Sequence, residues 1–537
     1  MYKQRIYIIS IAFVAAIGGF LLGFDGSVVS GAIPFYKSVF GLIDGSFMLG
    51  FSVSCIIWGA IIGNLLAGPL SDKIGRKPSL LLSAILFMAT GLFCAFANSI
   101  IVFIIGRIIG GLGVGIAILV APVYIAEIAP AKKRGWLVSF NQLLIVIGLS
   151  TAYFSNYFIL KTVHNPLINW RWMLGFETIP AVVYFIAVLF IPESPRWLIV
   201  HGRDNKALQV LAKVEGEEYA RIEFSEIKKA IGSVKKIGIT EQLKKLFTKQ
   251  MKRVLVIGFG LGILQQFSGI NAILYYAPMV FESAGGGRDA AFMQAIVLGV
   301  VFVVMTVVSM FLIDRIGRKP LLYAGVGIMA LSLTTTGFLF KNAHYKLNQD
   351  QITTAASIVC QGGLTKKAHN LKDTGMHTDQ KVLFIERLLP LQNQTFADET
   401  DFFSALKLAL KGTSVNSEFY KTIFLKQGIQ INSFFVLISI LGFIAGFSIS
   451  LGPVVWTVLS EIFPNNLRSL AISIVGAANA IASFIVATFF PIQLDRFGSS
   501  GTYFIYAGFM YFCLWFVWKY VVETKGKTLE QLEKVFI

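Results

Sequence analysis

Residues Gly260–Pro278 read GLGILQQFSGINAILYYAP and lie within an apolar run from about Val254 to Val280. A run of this length can cross the hydrocarbon core of a bilayer, which is roughly 30 Å thick. Amide groups in lipid are costly unless they meet partners or face a wet cavity. The run is therefore predicted to be a membrane-spanning helix that lines a polar cleft. Its hydrogen-bonding side chains are Gln265, Gln266, Asn271, Tyr275 and Tyr276.

The two glutamines of this run are expected near the middle of the bilayer. Counted from Val254 at about 1.5 Å per residue, they lie roughly 17 Å deep. The pair Ser268-Gly269 offers a place for the helix to unwind, and transporters bind their substrates at broken helices near the midplane. The alternative is a regular helix whose polar side chains pack against neighbouring helices. The density of hydrogen-bonding groups favours an uncharged, sugar-like ligand.

The whole chain has the composition of a membrane protein with many spans. Of its 537 residues, 55% are hydrophobic and 14% are charged, whereas soluble globular proteins have about 25% charged residues. The formal net charge of +18 could suggest nucleic-acid binding, but the placement of the charges argues against it. Lys and Arg concentrate on one side of the predicted spans, so the positive-inside rule makes both termini cytoplasmic. The short loops on the other side hold Lys37, Lys161, Arg171, Arg288 and Arg496.

The apolar runs predict twelve membrane-spanning helices in two groups of six. The first group lies near residues 6–33, 47–70, 79–98, 100–128, 136–160 and 171–192, and the second near 254–280, 292–313, 320–340, 432–460, 470–491 and 502–522. The basic segment between the groups indicates short cytoplasmic helices near anionic headgroups. The predicted domains are an N-terminal bundle (1–192), a linker (193–253) and a C-terminal bundle (254–537).

An internal repeat relates the two groups. GPLSDKIGRKP (Gly68–Pro78) recurs as MFLIDRIGRKP (Met310–Pro320). Repeats of this kind are typical of transporters built from two related halves. The corresponding charged residues are Asp72 with Asp314 and Arg76 with Arg318.

A second repeated pair locates an insertion. Glu127 and Arg134 recur as Glu461 and Arg468, but at a larger offset than the first repeat. The additional residues must therefore enter between the ninth and tenth spans, where a hydrophilic segment runs from about 341 to 431. Counting of spans places this insertion outside the cell. It is expected to be a solvated cap or interaction module, because its histidines lack the spacing of metal ligands.

Three charged residues lie well inside predicted spans, away from the span ends, namely Asp25, Arg107 and Glu177. Each is about two helical turns from the outer end of its span, so all three are expected at a similar depth, on the order of 10 Å. Intramembrane charges are functional candidates and usually pair. One interpretation is a permanent structural ion pair between Asp25 and Arg107. The other is a carboxylate that takes up and releases a proton as its contact with Arg107 changes.

The cytoplasmic ends of the helices carry a duplicated set of acids and bases. Ordinary anchoring of the topology is one explanation. The duplication favours another, in which ion pairs join the two halves and hold the cytoplasmic side closed, because alternating access rocks one half against the other. The predicted gating residues are Asp72, Arg76, Glu127, Arg134, Glu193, Arg196, Asp314, Arg318, Glu461 and Arg468.

Across nearly its full length, apart from the insertion, the chain resembles the sugar porter family of the major facilitator superfamily. The motifs that carry the resemblance are GRKP twice, RIIGG, YIAEIAP followed by RG, PESPRWL, QQFSGINAILYYAP, SEIFP and ETKGKTLEQLE. The chain is most similar to bacterial proton-linked sugar symporters of the xylose–proton type. The resemblance implies an all-α membrane protein of two pseudo-symmetric six-helix bundles, the major facilitator fold, in the inner membrane of a bacterium.

The resemblance also implies a substrate site between the two halves. Asp25 would accept the proton with Arg107 as its partner, since uncoupled carriers commonly have Asn at this position. Leu22, Leu451 and Ala480 stand where the family has aromatic residues, which leaves the choice of sugar open. The implied sugar ligands are Gln142, Gln265, Gln266, Asn271, Tyr275, Trp456 and Asn479.

The predicted function is secondary active import of a monosaccharide, a hexose or a pentose, coupled to a proton by alternating access. The expected partners are the sugar, the proton and the lipid bilayer, and the carrier is expected to act as a monomer. No enzyme activity, cofactor or metal is expected, and the chain has no Walker-type glycine loop. An uncoupled carrier is the first alternative. A non-transporting sugar sensor is the second, and the short segment after Val522 disfavours it.

Overall fold

The computed structural model describes residues 2–130, 134–233, 239–285, 287–356, 385–396, 399–411, 424, 427–464 and 467–525. The side chains of two predicted gating residues, Arg134 and Asp314, lie outside the described residues. Most of the terminal ETKGKTLEQLE motif lies outside them as well.

Six membrane-spanning helices, spans 1 to 6, precede residue 193. The first five are continuous and the sixth is interrupted at Phe176-Glu177. Each is long and apolar enough to cross a membrane. Their bounds are Tyr2–Val39, Phe47–Ile74, Arg76–Ala95, Ile100–Ile128, Arg134–Thr162 and, for span 6, Asn169–Gly175 with Thr178–Phe190.

Spans 7 to 12 follow the linker. Spans 11 and 12 form one helical run of 53 residues, in which Gly498 leaves helical geometry with a φ of 65°. Because that run is far longer than one crossing needs, eleven helices among the described residues account for twelve spans. The bounds are Lys252–Phe267, Ile270–Tyr275 and Ala277–Glu282 for span 7, Gly287–Ile316 for span 8, Arg318–Lys341 for span 9, Ser433–Ile449 with Leu451–Ile462 for span 10, and Arg468–Tyr520 for spans 11 and 12.

The predicted break in span 7 is confirmed. The helix ends at Phe267 and resumes at Ile270, and Gly269 between them has a left-handed φ of 86°. Only glycine adopts this conformation at no steric cost. A Cβ at Gly269 would also lie 3.0 Å from the ring of Tyr506. The break turns the residues after it relative to the glutamines before it.

Close helix packing positions the charged residue of span 4. Gly59 of span 2 and Gly111 of span 4 face each other, and a Cβ at Gly111 would lie 2.8 Å from the Gly59 Cα. Small residues at such crossings let two backbones approach closely. Arg107 lies one turn from Gly111 and is 1% exposed. Spans 2 and 4 therefore hold its guanidinium group inside the N-terminal half.

The even number of spans places the two described chain ends and the linker on one membrane side, here named the terminal side. The segment between spans 9 and 10 lies on the other side, here named the insertion side. Contacts between the two halves concentrate towards the insertion side. The Ser54 and Thr488 hydroxyl groups, from spans 2 and 11, hydrogen bond over 2.6 Å. Lys161 of span 5 pairs with Asp289 of span 8 over 2.7 Å.

On the terminal side the halves separate. Val146, Ser150 and Tyr153 lie on one face of span 5 and are buried. Ser150 and Tyr153 meet Gly299 of span 8. Gln142 continues this face towards the terminal side, and there it is exposed. Trp456 of span 10 is 39% exposed. The cleft between the halves is therefore closed on the insertion side and open on the terminal side.

The linker forms short helices on the terminal side. They are Pro195–Val200, Asp204–Glu215, Glu217–Ser233 and Ile239–Leu246. The Ser194 hydroxyl caps the first of them by accepting from the backbone N–H of Trp197. A small apolar cluster around Trp197, Leu198 and Ala207 holds the first helices together.

Between spans 9 and 10 the described residues 343–432 form a small folded unit, here named the cap. Its sheet has three short antiparallel strands, with His344–Lys346 between Thr395–Phe396 and Ile429–Gln430. The helix Glu399–Ala409 packs on the sheet. Tyr345 stacks on Phe402 with ring centroids 5.4 Å apart. The cap therefore has an apolar core of its own.

Candidate functional site

A network of amide side chains lies where span 7 breaks. Gln265 and Gln266 occupy the last turn before the break, and Asn271 lies just after it. Both glutamines are buried. On a continuous helix Asn271 would point away from Gln265. The break brings Asn271 to Gln266 instead, so that its Nδ2 donates to Gln266 Oε1 over 2.9 Å.

Asn479 of span 11 connects the two glutamines. Its Nδ2 donates to Gln265 Oε1 over 2.8 Å and to the Gly262 carbonyl over 2.7 Å. Its Oδ1 accepts from Gln266 Nε2 over 3.1 Å. Both N–H donors of Asn479 are thus used within the protein, since a primary amide has two. Asn479 therefore holds both glutamines in this conformation, and its role as a direct sugar ligand stays a prediction of the family resemblance.

Two further contacts complete the network. Gln265 Nε2 donates to the Leu451 carbonyl over 2.6 Å, at the point where span 10 is interrupted. Asn271 Nδ2 donates to the Ser483 hydroxyl over 2.6 Å. The network leaves the Asn271 Oδ1 and the second Nε2–H of Gln266 available to a ligand.

The remaining predicted sugar ligands line the cleft from different sides. Gln142 is exposed on span 5, on the face that meets the C-terminal half. Trp456 is partly exposed on span 10, towards the terminal side. Tyr275 lies against span 1, because a Cβ at Gly26 would be 3.4 Å from its ring. Of the seven predicted ligands, these three do not join the amide network.

Asp25, Arg107 and Glu177 come together inside the N-terminal half. All three are at most 2% exposed. Arg107 Nη1 donates to Asp25 Oδ1 and, over 3.3 Å, to the Asp25 carbonyl. Glu177 is buried near this pair, and its Oε1 and the Asp25 Oδ2 have no hydrogen-bond partner among the described residues. This buried site thus holds two carboxyl groups and one guanidinium group, of which Asp25 and Arg107 form an ion pair.

The broken part of span 7 joins the amide network to this charged site. Tyr275 contacts Gly26, the residue after Asp25. The Tyr153 hydroxyl of span 5 donates to the Leu274 carbonyl over 2.7 Å. A movement of residues 270–275 would therefore displace the helical turn of span 1 that carries Asp25.

Two of the predicted gating arginines form ion pairs in this conformation. Arg76 pairs with Glu127 and Asp72 at 3.0 Å each. Arg318 pairs with Glu461 at 2.8 Å. Each pair lies within one half, and ion pairs between the halves stay a prediction for the conformation that is closed on the terminal side. The halves are apart on the terminal side in this conformation, so charges there can meet only partners of their own half.

Two other predicted gating residues, Glu193 and Arg468, accept from or donate to backbone groups of their own half. Glu193 does not pair with the exposed Arg196, and its carboxylate accepts instead from the backbone N–H groups of Arg76 and Lys77 at 3.0 and 3.3 Å. Arg468 Nε donates to the Phe463 carbonyl over 3.2 Å.

Glu523 is the counterpart of Glu193 in the C-terminal half and was missed by sequence reasoning. It accepts from the backbone N–H groups of Arg318 and Lys319 at 3.1 and 3.0 Å. Each glutamate thus caps the helix that begins in a GRKP motif. The sequence held a signal, because Glu523 opens the quoted ETKGK motif at about the offset of the second repeat.

Glu193 and Glu523, the two glutamates that cap these helices, differ in the pKa of their carboxyl groups. Burial raises the pKa of Glu193, although backbone N–H donors oppose it. Burial also acts on Glu523, but four backbone N–H groups outweigh it and lower the pKa of that carboxyl. Hydrogen bonds to a carboxylate favour its charged form, whereas burial disfavours it. The two glutamates should therefore affect stability with opposite dependence on pH.

We expect Glu523→Gln to lower the thermal unfolding temperature near pH 7, and to lower it less as the pH falls. A carboxyl with a lowered pKa stabilises the fold above its unfolded pKa of about 4.3, and that stability is lost as the pH falls through the folded pKa. For Glu193 the sign reverses, because its contribution is lost as the pH rises through its raised pKa. Thermal unfolding of the detergent-purified protein between about pH 3 and pH 7 measures both. Equal slopes for Glu523→Gln and Glu193→Gln would contradict the assignment.

Sequence reasoning also missed Ser483 and Tyr153. Ser483 lies one turn after Asn479 on the same face of span 11, so helical spacing could have indicated it. Tyr153 carried no signal, because its partner is a backbone carbonyl at a helix break.

Comparison with known proteins identifies relatives over almost the whole chain. The family model described as "Sugar (and other) transporter" matches residues 11–361 and 406–536. The arabinose–proton symporter of Bacillus subtilis is 32% identical over 99% of this chain and 95% of its own length. The D-xylose–proton symporter of Escherichia coli is 33% identical over 99% of this chain and 96% of its own length.

Solved structures agree with these relatives. The inward-open xylose transporter of Escherichia coli matches with a TM-score of 0.72 at 32% identity, over 98% of this chain and 100% of that one. The proton:xylose symporter bound to 6-bromo-6-deoxy-D-glucose matches with a TM-score of 0.67 at 32% identity, over 99% and 100%. The predicted arrangement of two six-helix bundles is thereby confirmed.

Proposed function

This chain belongs to the sugar transporter family of the major facilitator superfamily, and we propose that it imports a monosaccharide together with a proton by alternating access. The proposal is carried by one observation. A ligand-sized set of amides in the C-terminal half is joined, through the broken span 7, to a buried carboxyl site in the N-terminal half. Sugar binding and proton binding are then linked through one moving segment.

The amide network supports a sugar as the substrate. Its free groups, Asn271 Oδ1 and one Nε2–H of Gln266, are an acceptor and a donor, which is what hydroxyl groups require. Gln142 faces the same cleft from the N-terminal half. A site with groups in both halves binds its ligand most completely when the cleft closes around it. None of these groups is charged, so the network suits an uncharged ligand.

The charge of the buried site supports proton coupling. If Asp25 and Glu177 were both ionised, Arg107 would balance only one of them. An uncompensated charge inside a membrane protein is costly. One exchangeable proton balances the site. Tyr275 of span 7 lies against Gly26, the residue after Asp25, so sugar and proton are taken up and released together.

We infer that the terminal side faces the cytoplasm, as the excess of Lys and Arg in the linker indicates. The conformation described above then faces inward. The ion pairs within each half, Arg76–Glu127 and Arg318–Glu461, hold the cytoplasmic helix ends of that half together. Each half can then rock as one body. Nothing in this mechanism requires a second copy of the chain, and we propose that the carrier acts as a monomer.

The decisive test is uptake of labelled sugars into proteoliposomes or cells that contain the protein. Xylose, arabinose, glucose, galactose and fructose are offered with and without an uncoupler. We expect accumulation of at least one of them, and we expect the uncoupler to abolish it because the proton gradient drives the concentration step.

Each alternative gives a different result. An uncoupled carrier would equilibrate the sugar without accumulating it, and the uncoupler would have no effect. A sugar sensor would bind sugar and transport none.

A further inference from the structure

The cap and the adjoining start of span 10 both contact the turn between spans 7 and 8. The Ser433 hydroxyl, at the first residue of span 10, donates to the Ala284 carbonyl over 2.7 Å. Ile429, in the last strand of the cap, packs against Gly285, where a Cβ would lie 3.2 Å from Ile429 Cγ2. Ile429 also packs against both the apolar core of the cap and that of the spans. The cap and the adjoining start of span 10 therefore both pack against this turn.

The backbone N–H groups of Ser283, Ala284 and Gly285 tie the described part of the turn back to span 7, whereas two described glycines lie where it leads into span 8. Gly285 and Gly287 have φ values of 80° and 71°. Glycine reaches these conformations at no steric cost, but it also keeps the most conformational freedom. Such a turn needs outside contacts to hold one shape. Ser433 and Ile429 supply them.

The residues directly after the turn close the cleft on the insertion side. Asp289 accepts from Lys161 of span 5 over 2.7 Å. The Arg288 guanidinium lies 5.0 Å from the centre of the Phe35 ring of span 1. Both contacts join the first turn of span 8 to the opposite half. Exposed ion pairs and cation–π contacts are individually weak. They therefore form only when the turn places Arg288 and Asp289 within reach of the opposite half.

We propose that Ser433 and Ile429 are positioning residues of the insertion-side gate. They hold the turn, and the turn holds Arg288 and Asp289 where these can meet the N-terminal half. The cap thereby favours the conformation that is closed on the insertion side. This inference rests on the proposed alternation between two conformations, but it needs neither the identity of the sugar nor the proton.

Ile429 and Ser433 both lie within residues 406–536, which the family model matches. The family model passes over residues 362–405, which are the central part of the segment between spans 9 and 10. The gate contacts themselves lie in spans that the model matches.

A thiol placed between the halves reports opening of the insertion side. Ser150 is 7% exposed, and it lies on span 5 against Gly299 of span 8. Ser150→Cys is made in a chain whose four cysteines are replaced by alanine. A membrane-impermeant maleimide added to whole cells then reaches the thiol only when the insertion side opens.

In this background we expect Ser433→Ala to raise the labelling rate about fivefold, because loss of one hydrogen bond changes a conformational equilibrium by that order. Ile429→Ala should act in the same direction through lost packing. The matched control is Ser439→Ala on the same helix. It removes the 2.8 Å hydrogen bond to the Thr336 hydroxyl without touching the turn, and it should leave the rate unchanged. Equal labelling of all three variants and the parent would overturn the proposal.

The route through span 8 is tested by a double variant. If the cap acts by placing Asp289 for Lys161, Ser433→Ala should add little in a Lys161→Ala chain. Independent effects that multiply would exclude this route. Failure of sugar uptake would leave the labelling comparison readable, so the two proposals stand or fall separately.

Discussion

Asp25→Asn is expected to abolish accumulation of sugar against its gradient while sugar exchange across the membrane continues. An amide cannot take up and release a proton in this site. With Asn at position 25, Arg107 and Glu177 balance each other, so the buried site is neutral without a proton. The cleft can then change its accessible side without a proton, and sugar moves only down its own gradient. Accumulation driven by an imposed pH gradient, compared with counterflow in its absence, measures the two activities in proteoliposomes.

The control for this change is Asp44→Asn on the insertion side. Asp44 pairs with Lys37 over 2.7 Å, and both side chains are partly exposed. Surface pairs of this kind contribute little to stability. We expect that variant to accumulate sugar as the unaltered protein does. Continued accumulation by Asp25→Asn would show that the proton binds elsewhere.

The sequence predicted the fold well because membrane spans are read from long apolar runs. The break in span 7 was also readable, since Ser268-Gly269 interrupts a run that carries amides on both sides. The repeat of GRKP indicated two related halves. Each of these signals is local, or depends on a regular spacing within one chain.

The sequence did not predict which side chains would contact each other across the fold. Arg76 and Glu127 were both recognised as candidates, but which helix ends converge depends on the conformation of the carrier. The hydrogen bonds from Asn479 to Gln265 and to the Gly262 carbonyl were not predicted either. Hydrogen bonds to backbone carbonyls at a break, such as that of Tyr153, leave no pattern in the sequence. The position of Ile429 beside the turn after span 7 depends on how an added unit docks.

The occupied donors of Asn479 lead to the second large effect. We expect Asn479→Ala to raise the sugar concentration for half-maximal uptake by about two orders of magnitude or more. Three groups lose their partner, namely Gln265 Oε1, Gln266 Nε2 and the Gly262 carbonyl. An unsatisfied buried polar group costs about 1–3 kcal/mol, and the glutamines are no longer held in place for the ligand.

Asn479→Ala should lower the affinity for sugar and leave the coupling of sugar to protons intact. This distinguishes it from Asp25→Asn, which should remove the coupling. At saturating sugar, Asn479→Ala should still accumulate its substrate, because Asp25, Arg107 and Glu177 are untouched in the other half. Ser473→Ala is the matched control, since Ser473 lies exposed on the same helix and bonds only the Ser469 carbonyl among its described contacts. Uptake kinetics over a wide range of sugar concentration, with a pH gradient imposed, measure both quantities. If affinity were unchanged, sugar would bind away from this network; if accumulation were lost at saturation, the two halves would not divide binding and coupling between them.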